Sequence, residues 1–287
     1  MDIKNILSAF FWFAVLGGGL GALLALASKI FAVQRNERVE KIEEVLPGAN
    51  CGGCGYTGCT ACAEAMDAGI AKANACTVGG QELTDKISEI LGIASVKTRR
   101  MRAQVMCSGT SEFSKHKYIY EGVPDCIAAV RIGGGDKTCP NGCIGLGTCV
   151  SVCKFDAIKI VDGVAVINYD KCTGCSSCVS ACPKKIIKLI PYDAAHWVGC
   201  MSVDSGRETR AYCDVGCISC KLCEKHCPVG AITVDHFVAT IDYDKCIDCG
   251  ECVRRCPRKI IWSSKTAGGF MTINRGEIDF SVKGTGE

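Results

Sequence analysis

A chain of 287 residues has room for two or three domains, and 25 of those residues are cysteine. The odd cysteine count, the length and the grouping of thiols in C-x2-C pairs do not fit a secreted disulfide scaffold, so metal–sulfur chemistry sets the class. A formal net charge of +3 gives no global case for nucleic-acid binding.

Residues 6–28 (ILSAFFWFAVLGGGLGALLALAS) carry no charged side chain. As a helix rising about 1.5 Å per residue, that stretch can cross a hydrocarbon core of roughly 30 Å. A cleavable signal peptide would normally have a shorter apolar run and a basic flank ahead of it. Here Lys4 is balanced by Asp2, while Lys29, Arg35, Arg38 and Lys41 follow. The positive-inside rule therefore predicts a single-pass anchor in the cell (inner) membrane, N-terminus outside and cysteine-rich body in the cytoplasm. Thiols kept reduced there agree with cluster binding. Gly17 and Gly21 form a G-x3-G face suited to a partner helix, although glycine is frequent in membrane helices anyway.

Residues 40–47 (EKIEEVLP) predict a short helix ending before Pro47. Next come Cys51-Gly-Gly-Cys54-Gly-Tyr-Thr-Gly-Cys59 and, further on, Cys76-Thr-Val-Gly-Gly. The glycines let the backbone fold closely around a bulky ligand. An alanine-rich helix over 61–72 carries the chain away before Cys76 returns. Cys51, Cys54, Cys59 and Cys76 suit one [4Fe–4S] cluster in a module spanning 34–100, closed by an amphipathic helix over 81–91. Cys62 is surplus and reads as a small buried residue.

An anchor followed by C-G-G-C-G-Y-x-G-C and C-x-x-G-G resembles the B subunit of the Rnf ion-translocating ferredoxin:NAD oxidoreductase. The same small module also occurs in corrinoid iron–sulfur proteins and reductive activators. The family usually shows proline between the tyrosine and the glycine; Thr57 departs from that without altering a ligand.

Past residue 100 the chain repeats. Shifted by 74 residues, Cys126, Cys139, Cys143, Cys149, Cys153, Cys172, Cys175, Cys178 and Cys182 fall on Cys200, Cys213, Cys217, Cys223, Cys227, Cys246, Cys249, Cys252 and Cys256. Residues 217–228 and 246–257 are each C-x2-C-x2-C-x3-C-P, the run of two-cluster bacterial ferredoxins, in which the fourth sulfur serves the other cluster. Zinc would need only two C-x2-C pairs and has no use for the third cysteine. Cys217, Cys220, Cys223 and Cys256 thus form one set, and Cys246, Cys249, Cys252 and Cys227 its neighbour. In the first copy Asp162-Gly163 between apolar alternations predicts a two-residue hairpin. So small a fold has little apolar core, and cluster binding should supply much of its stability.

One position breaks the repeat: Leu146 stands where Cys220 does, and Lys154 replaces the proline after Cys227. Either Cys139 swings in to complete a set with Cys143, Cys149 and Cys182, or that site is empty and only Cys153, Cys172, Cys175 and Cys178 hold a cluster. Longer members of the B-subunit family carry this altered run too; shorter ones lack the extra copy. The expected total is five [4Fe–4S] clusters. Cys62, Cys107, Cys126, Cys200 and Cys213 then have no role. The repeat-equivalent pairs could serve another cluster, but buried free thiols are the preferred reading.

The expected fold is α+β: a transmembrane anchor (1–33), a small helical Fe–S module (34–100), a linker region (101–138), two tandem two-cluster ferredoxin-like domains (139–195 and 196–262) and a tail (263–287) with a strand near 270–273. The stretch near 93–106 reads as a linker on which the head could swing. His116, His196, His226 and His236 show no ligand spacing. Lys184, Lys185, Arg254, Arg255, Arg258 and Lys259 either steer an acidic redox partner or form a solvated face.

No dinucleotide fingerprint, P-loop or flavin-attachment pattern occurs, and Gly133-Gly-Gly-Asp136 is too short to be more than a turn. A string of clusters without a substrate site conducts electrons between partners. The resemblance implies a subunit of a Na+- or H+-translocating oxidoreductase. It would take electrons from soluble reduced ferredoxin and relay them to the other membrane and peripheral subunits, which hold the flavin and nucleotide sites. A membrane-tethered polyferredoxin serving a hydrogenase or other reductase, and an Fe–S redox sensor, are the alternatives.

Overall fold

The computed structural model describes residues 3–30 and 36–264; the strand expected near 270–273 lies outside them. Helix α1 (Ile3–Ile30) contains a stretch, Phe10–Lys29, of mean hydropathy 2.0 that none of the other described residues buries. Its length and composition suffice to cross a membrane, and the apolar run 6–28 falls within the helix.

Three helices build the next unit: α2 (Glu37–Val45), α3 (Cys59–Asp67) and α4 (Gly80–Leu91). The Asn36 side chain caps α2 by accepting from the Arg38 N–H at 3.1 Å, and the helix stops at extended Leu46, ahead of Pro47. Ile42, Met66 and Ile87, one from each helix, are buried at the centre. Helix α3 starts two residues before the expected point and ends at Asp67, where Gly69 turns left-handed. The stretch after α4 is laced back onto it. Gln81 Oε1 accepts the Thr98 N–H at 2.6 Å, and Ser95 bonds Asp85.

The rest is a set of two-stranded antiparallel ribbons separated by short helices. β1 (Met101–Val105) pairs with β4 (Ile187–Pro191), β2 (Ile158–Val161) with β3 (Val164–Ile167), β5 (His196–Val198) with β8 (Ile261–Ser263), and β6 (Ile232–Asp235) with β7 (Val238–Ile241). The hairpin turn at Asp162-Gly163 has positive φ at both residues, as a type I′ turn requires. His236 and Phe237 make the same turn in the second copy without a glycine. The helices are α5 (Cys126–Arg131), α6 (Thr148–Ser151), α7 (Ser177–Ala181), α8 (Gly206–Tyr212), α9 (Leu222–Lys225) and α10 (Glu251–Arg255).

The repeat is visible in the backbone itself. Left-handed residues recur at matched positions: Gly145 with Ser219, Gly147 with Lys221, Gly174 with Asp248, Ser176 with Gly250, and Lys185 with Lys259. The loop carrying Leu146 therefore has the same path as the loop carrying Cys220.

Residues 101–138 are not a linker, which corrects that expectation. β1 closes the first repeat by pairing with β4, and residues 102–105 are buried. Arg102 lies at the junction of the two copies, its guanidinium 3.6 Å from the Tyr169 ring centroid and 5.2 Å from that of Trp197. It donates to the Ala194 carbonyl at 3.1 Å and to Gln104 Oε1 at 3.2 Å. Ile190, Ala194, Trp197 and Trp262 pack there as one apolar cluster.

Candidate functional site

Each short helix follows a tight loop, and the loops and helix ends bring thiols around partly open spaces of similar size. The first, about 350 Å³, is lined by Cys217 and Cys220 from one loop, by Cys223 from the start of α9 and by Cys256 just past the end of α10. Another, about 340 Å³, is lined by Cys246, Cys249 and Cys252 with Cys227, which follows α9. Both sets are the ones expected from the spacing. Cys220 and Cys249 are exposed, so this copy presents sulfur at the surface.

At the defective loop the arrangement differs from expectation. A space of about 350 Å³ is lined by Cys143, Cys149, Cys182 and Cys126. Cys126 is the first residue of α5, whose start is fixed by Asp125: its side chain caps Ala128 at 2.8 Å and accepts from Thr148 Oγ1 at 2.8 Å. Thr148 Oγ1 in turn accepts the Cys126 N–H at 2.7 Å, tying the thiol to the helix that carries Cys149. Cys139, expected here, instead lines a separate space with Cys107, Cys200 and Cys213. Asp125 and Thr148 are the residues that sequence reasoning missed, and neither sits at a motif position.

Cys153, Cys172, Cys175 and Cys178 lie close enough for the charge on the other three to raise the Cys178 thiol beyond the effect of burial. Likewise Cys76 is raised by burial and then by Cys54 and Cys51, and Cys62 by burial and then by Cys54, Cys76 and Cys59. Cys62 is buried beside this set, as expected. The two sets adjoin. Gly53 lies on the carbonyl of Cys175, with no room for a Cβ between them. Ser177 Oγ donates to the Cys51 carbonyl at 3.2 Å. Lys154, which broke the repeat, donates to the carbonyls of Asn50 at 2.6 Å and Ala49 at 3.2 Å. The first module is thus docked rather than swinging on a linker.

Electrostatics suit a cationic guest. Burial pushes Cys143, Cys178 and Cys223 up to about 12 and Cys252 up to about 11, and neighbouring cysteines add to each. Burial likewise raises Cys149 strongly. Thiols so placed stay neutral on their own, and cationic iron would displace their protons. Cys227 goes the other way: burial raises it, but N–H groups of residues 229–232 outweigh that, with Ala231 donating to its sulfur at 3.2 Å. Amides aimed at sulfur are a recurrent means of stabilising cluster ligands. Among the described residues no three ligand side chains converge closely enough to hold a single metal ion. The thiols stand around a volume.

His196 is buried beside the set of Cys227 and Cys246, and neither ring nitrogen has a hydrogen-bond partner among the described residues. His226 is tied to the Leu222 carbonyl at 2.9 Å. Of the basic residues near the cluster runs, Arg258 is spent internally on the carbonyls of Cys213 and Gly216, and Arg254 and Arg255 pair with Glu251.

Comparison with known families agrees with this layout. A 4Fe-4S dicluster domain model matches residues 216–261, a 4Fe-4S binding domain model residues 165–188, and an Fe-S cluster model residues 46–78. The chain is 41% identical over 249 residues to the B subunit of an ion-translocating oxidoreductase complex of Methanosarcina acetivorans, covering 86% of this chain and 94% of that one. It is 44% identical to the B subunit of the Na(+)-translocating ferredoxin:NAD(+) oxidoreductase complex of Acetobacterium woodii, over 86% of this chain and 74% of the relative. The B subunit of the proton-translocating ferredoxin:NAD(+) oxidoreductase complex of Clostridium ljungdahlii is 38% identical, over 85% and 87%.

Proposed function

The chain belongs to the B-subunit family of the ion-translocating ferredoxin:NAD oxidoreductase (Rnf) complexes, and from that we propose how its own residues carry the family's electron transfer. It is an electron-transfer component of a translocating oxidoreductase complex, built on 4Fe-4S ferredoxin-type domains. When bound, [4Fe–4S] clusters take up and release single electrons.

Five ligand sets are assigned: Cys51, Cys54, Cys59 and Cys76; Cys153, Cys172, Cys175 and Cys178; Cys126, Cys143, Cys149 and Cys182; Cys217, Cys220, Cys223 and Cys256; and Cys227, Cys246, Cys249 and Cys252. The middle set keeps the expected cluster but takes Cys126 in place of Cys139. The two copies are then tandem two-cluster units. The observation that carries this reading is the matched left-handed backbone of the loops at 143–149 and 217–223, which keeps the Leu146 loop shaped for a cluster. Soluble reduced ferredoxin is the electron donor, and the other components of the complex are the acceptors. α1 anchors the chain with its N-terminus outside and the thiol-rich body in the cytoplasm, and the coupled ion is Na+ or H+.

The test is ferredoxin-dependent NAD reduction by the purified complex with and without this chain. The reading requires the activity to vanish on omission and return on addition. An unchanged rate without the chain contradicts it.

A further inference from the structure

Cys107, Cys139, Cys200 and Cys213 come from four separate places: two residues past β1, the start of the first cluster loop, the residue after Gly199 beyond β5, and the residue capping the end of α8. No spacing motif links them. They nevertheless line one space of about 370 Å³, between Gly109, Gly142, Gly199 and Gly216. Four cysteines line it, as four line the spaces at three of the sets above. We propose that these four cysteines hold a further [4Fe–4S] cluster, wedged between the two ferredoxin-like copies.

The geometry favours ligands over inert thiols. A Cβ built on Gly109 would lie 3.5 Å from Cys213 Sγ and 3.8 Å from Cys107 Sγ, so both sulfurs face the same glycine. Charge on Cys107 bears on each of Cys139, Cys200 and Cys213. The sulfurs are also supplied with amides. Ser202 N–H points to Cys200 Sγ at 3.5 Å and Cys143 N–H to Cys107 Sγ at 3.4 Å. Asn141 and Val215 do the same for Cys139 and Cys213. In three of the four the amide comes from two residues ahead, as it does for Cys217 from Ser219 and for Cys246 from Asp248. This is the local turn of a cluster ligand, repeated where no cluster motif exists. The glycines let backbone approach on several sides; at Gly199 a Cβ would run into Ser108 and the Trp262 ring.

Position points the same way, given the electron-transfer reading on which this step rests. Cys149 feels Cys178, so the two sets of the first copy adjoin. Cys107 receives the amide of Cys143 from the Cys126 set, and Cys200 receives the amide of Cys217 from the first set of the second copy. The tetrad therefore touches both copies at once and lies between their nearest sets. With it filled, the ligand sets form one unbroken series from Cys51 to Cys249, and 24 of the 25 cysteines are ligands, Cys62 alone being free.

The test is the cluster content of the full chain, purified anaerobically, by iron and sulfide analysis and native mass spectrometry. The wild type should carry about 24 irons, at four per cluster. A Cys200→Ala/Cys213→Ala double variant should lose about four of them, whereas Cys62→Ala should lose none. A double variant with as much iron as the wild type overturns the proposal. If the double variant does not accumulate, the wild-type mass decides: six clusters support the tetrad, and five or fewer contradict it. Iron content is independent of ferredoxin oxidation, so failure here leaves the function reading standing, and failure of that reading leaves the count standing.

Discussion

Gly53 lies directly on the backbone carbonyl of Cys175, and the space between them excludes even a methyl group. That contact joins the N-terminal module to the first ferredoxin-like copy at their cluster loops. It explains why a glycine stands between Cys51 and Cys54 at this position, and why Lys154 departs from the repeat: its ammonium holds the carbonyls of Ala49 and Asn50.

Gly53→Ala should therefore push the two loops apart at a cost of about 1–3 kcal/mol, the usual range for overpacking. The readout is magnetic interaction between the two reduced clusters, seen as broadening in EPR. The broadening should weaken in Gly53→Ala and, less strongly, in Lys154→Ala. Unaltered spectra would separate the module from the first copy.

The assignment of Cys126 predicts a rescue. Cys126→Ser should remove or convert one cluster, a loss of up to about four irons. Adding Leu146→Cys should restore it, because the loop at 143–149 already follows the path of the loop that carries Cys220. Iron analysis of the single and double variants is the check.

Lys137 is buried and donates to the carbonyls of Gly109 at 2.7 Å and Gly163 at 2.8 Å. Burial pushes Cys143 up, and Lys137 pulls against it. Lys137→Met removes a positive charge beside the Cys143 site, so the reduced cluster there should be harder to form and its potential should fall by tens of millivolts. Potentiometric EPR titration measures this, with the potential of the distant Cys246 set as the unshifted control.

Arg102 tests the joint between the copies. Arg102→Ala empties a space between Tyr169 and Trp197 and removes the bond to Ala194, at a cost of about 3 kcal/mol. Thermal unfolding should shift down, and the amides of β1 should lose hydrogen-exchange protection first.

Much of this could be read from residues alone. The ferredoxin runs, the hairpin at Asp162-Gly163 and the module of Cys51 to Cys76 depend on local spacing, and local spacing survives folding. β1 could not be read: MRAQV looks polar, and its pairing with distant β4 together with the stacking of Arg102 on aromatic rings from distant segments makes it a buried strand. For the same reason the repeat-equivalent cysteines suggest another cluster only as the less favoured reading, and their grouping could not be read. Their partners are brought together by strand pairing between β1 and β4 and between β5 and β8, across long sequence separations, and a repeat comparison pairs Cys126 with Cys200 although they line different spaces.

Electrons from ferredoxin are expected to pass through this chain on their way to NAD. Rapid-freeze EPR of the purified complex tests this most directly, with reduced ferredoxin added first and NAD second. Signals assigned to this chain through the cysteine variants should appear with ferredoxin alone and decay when NAD arrives. NAD reduction at full rate while those signals never appear, or never decay, would contradict the account.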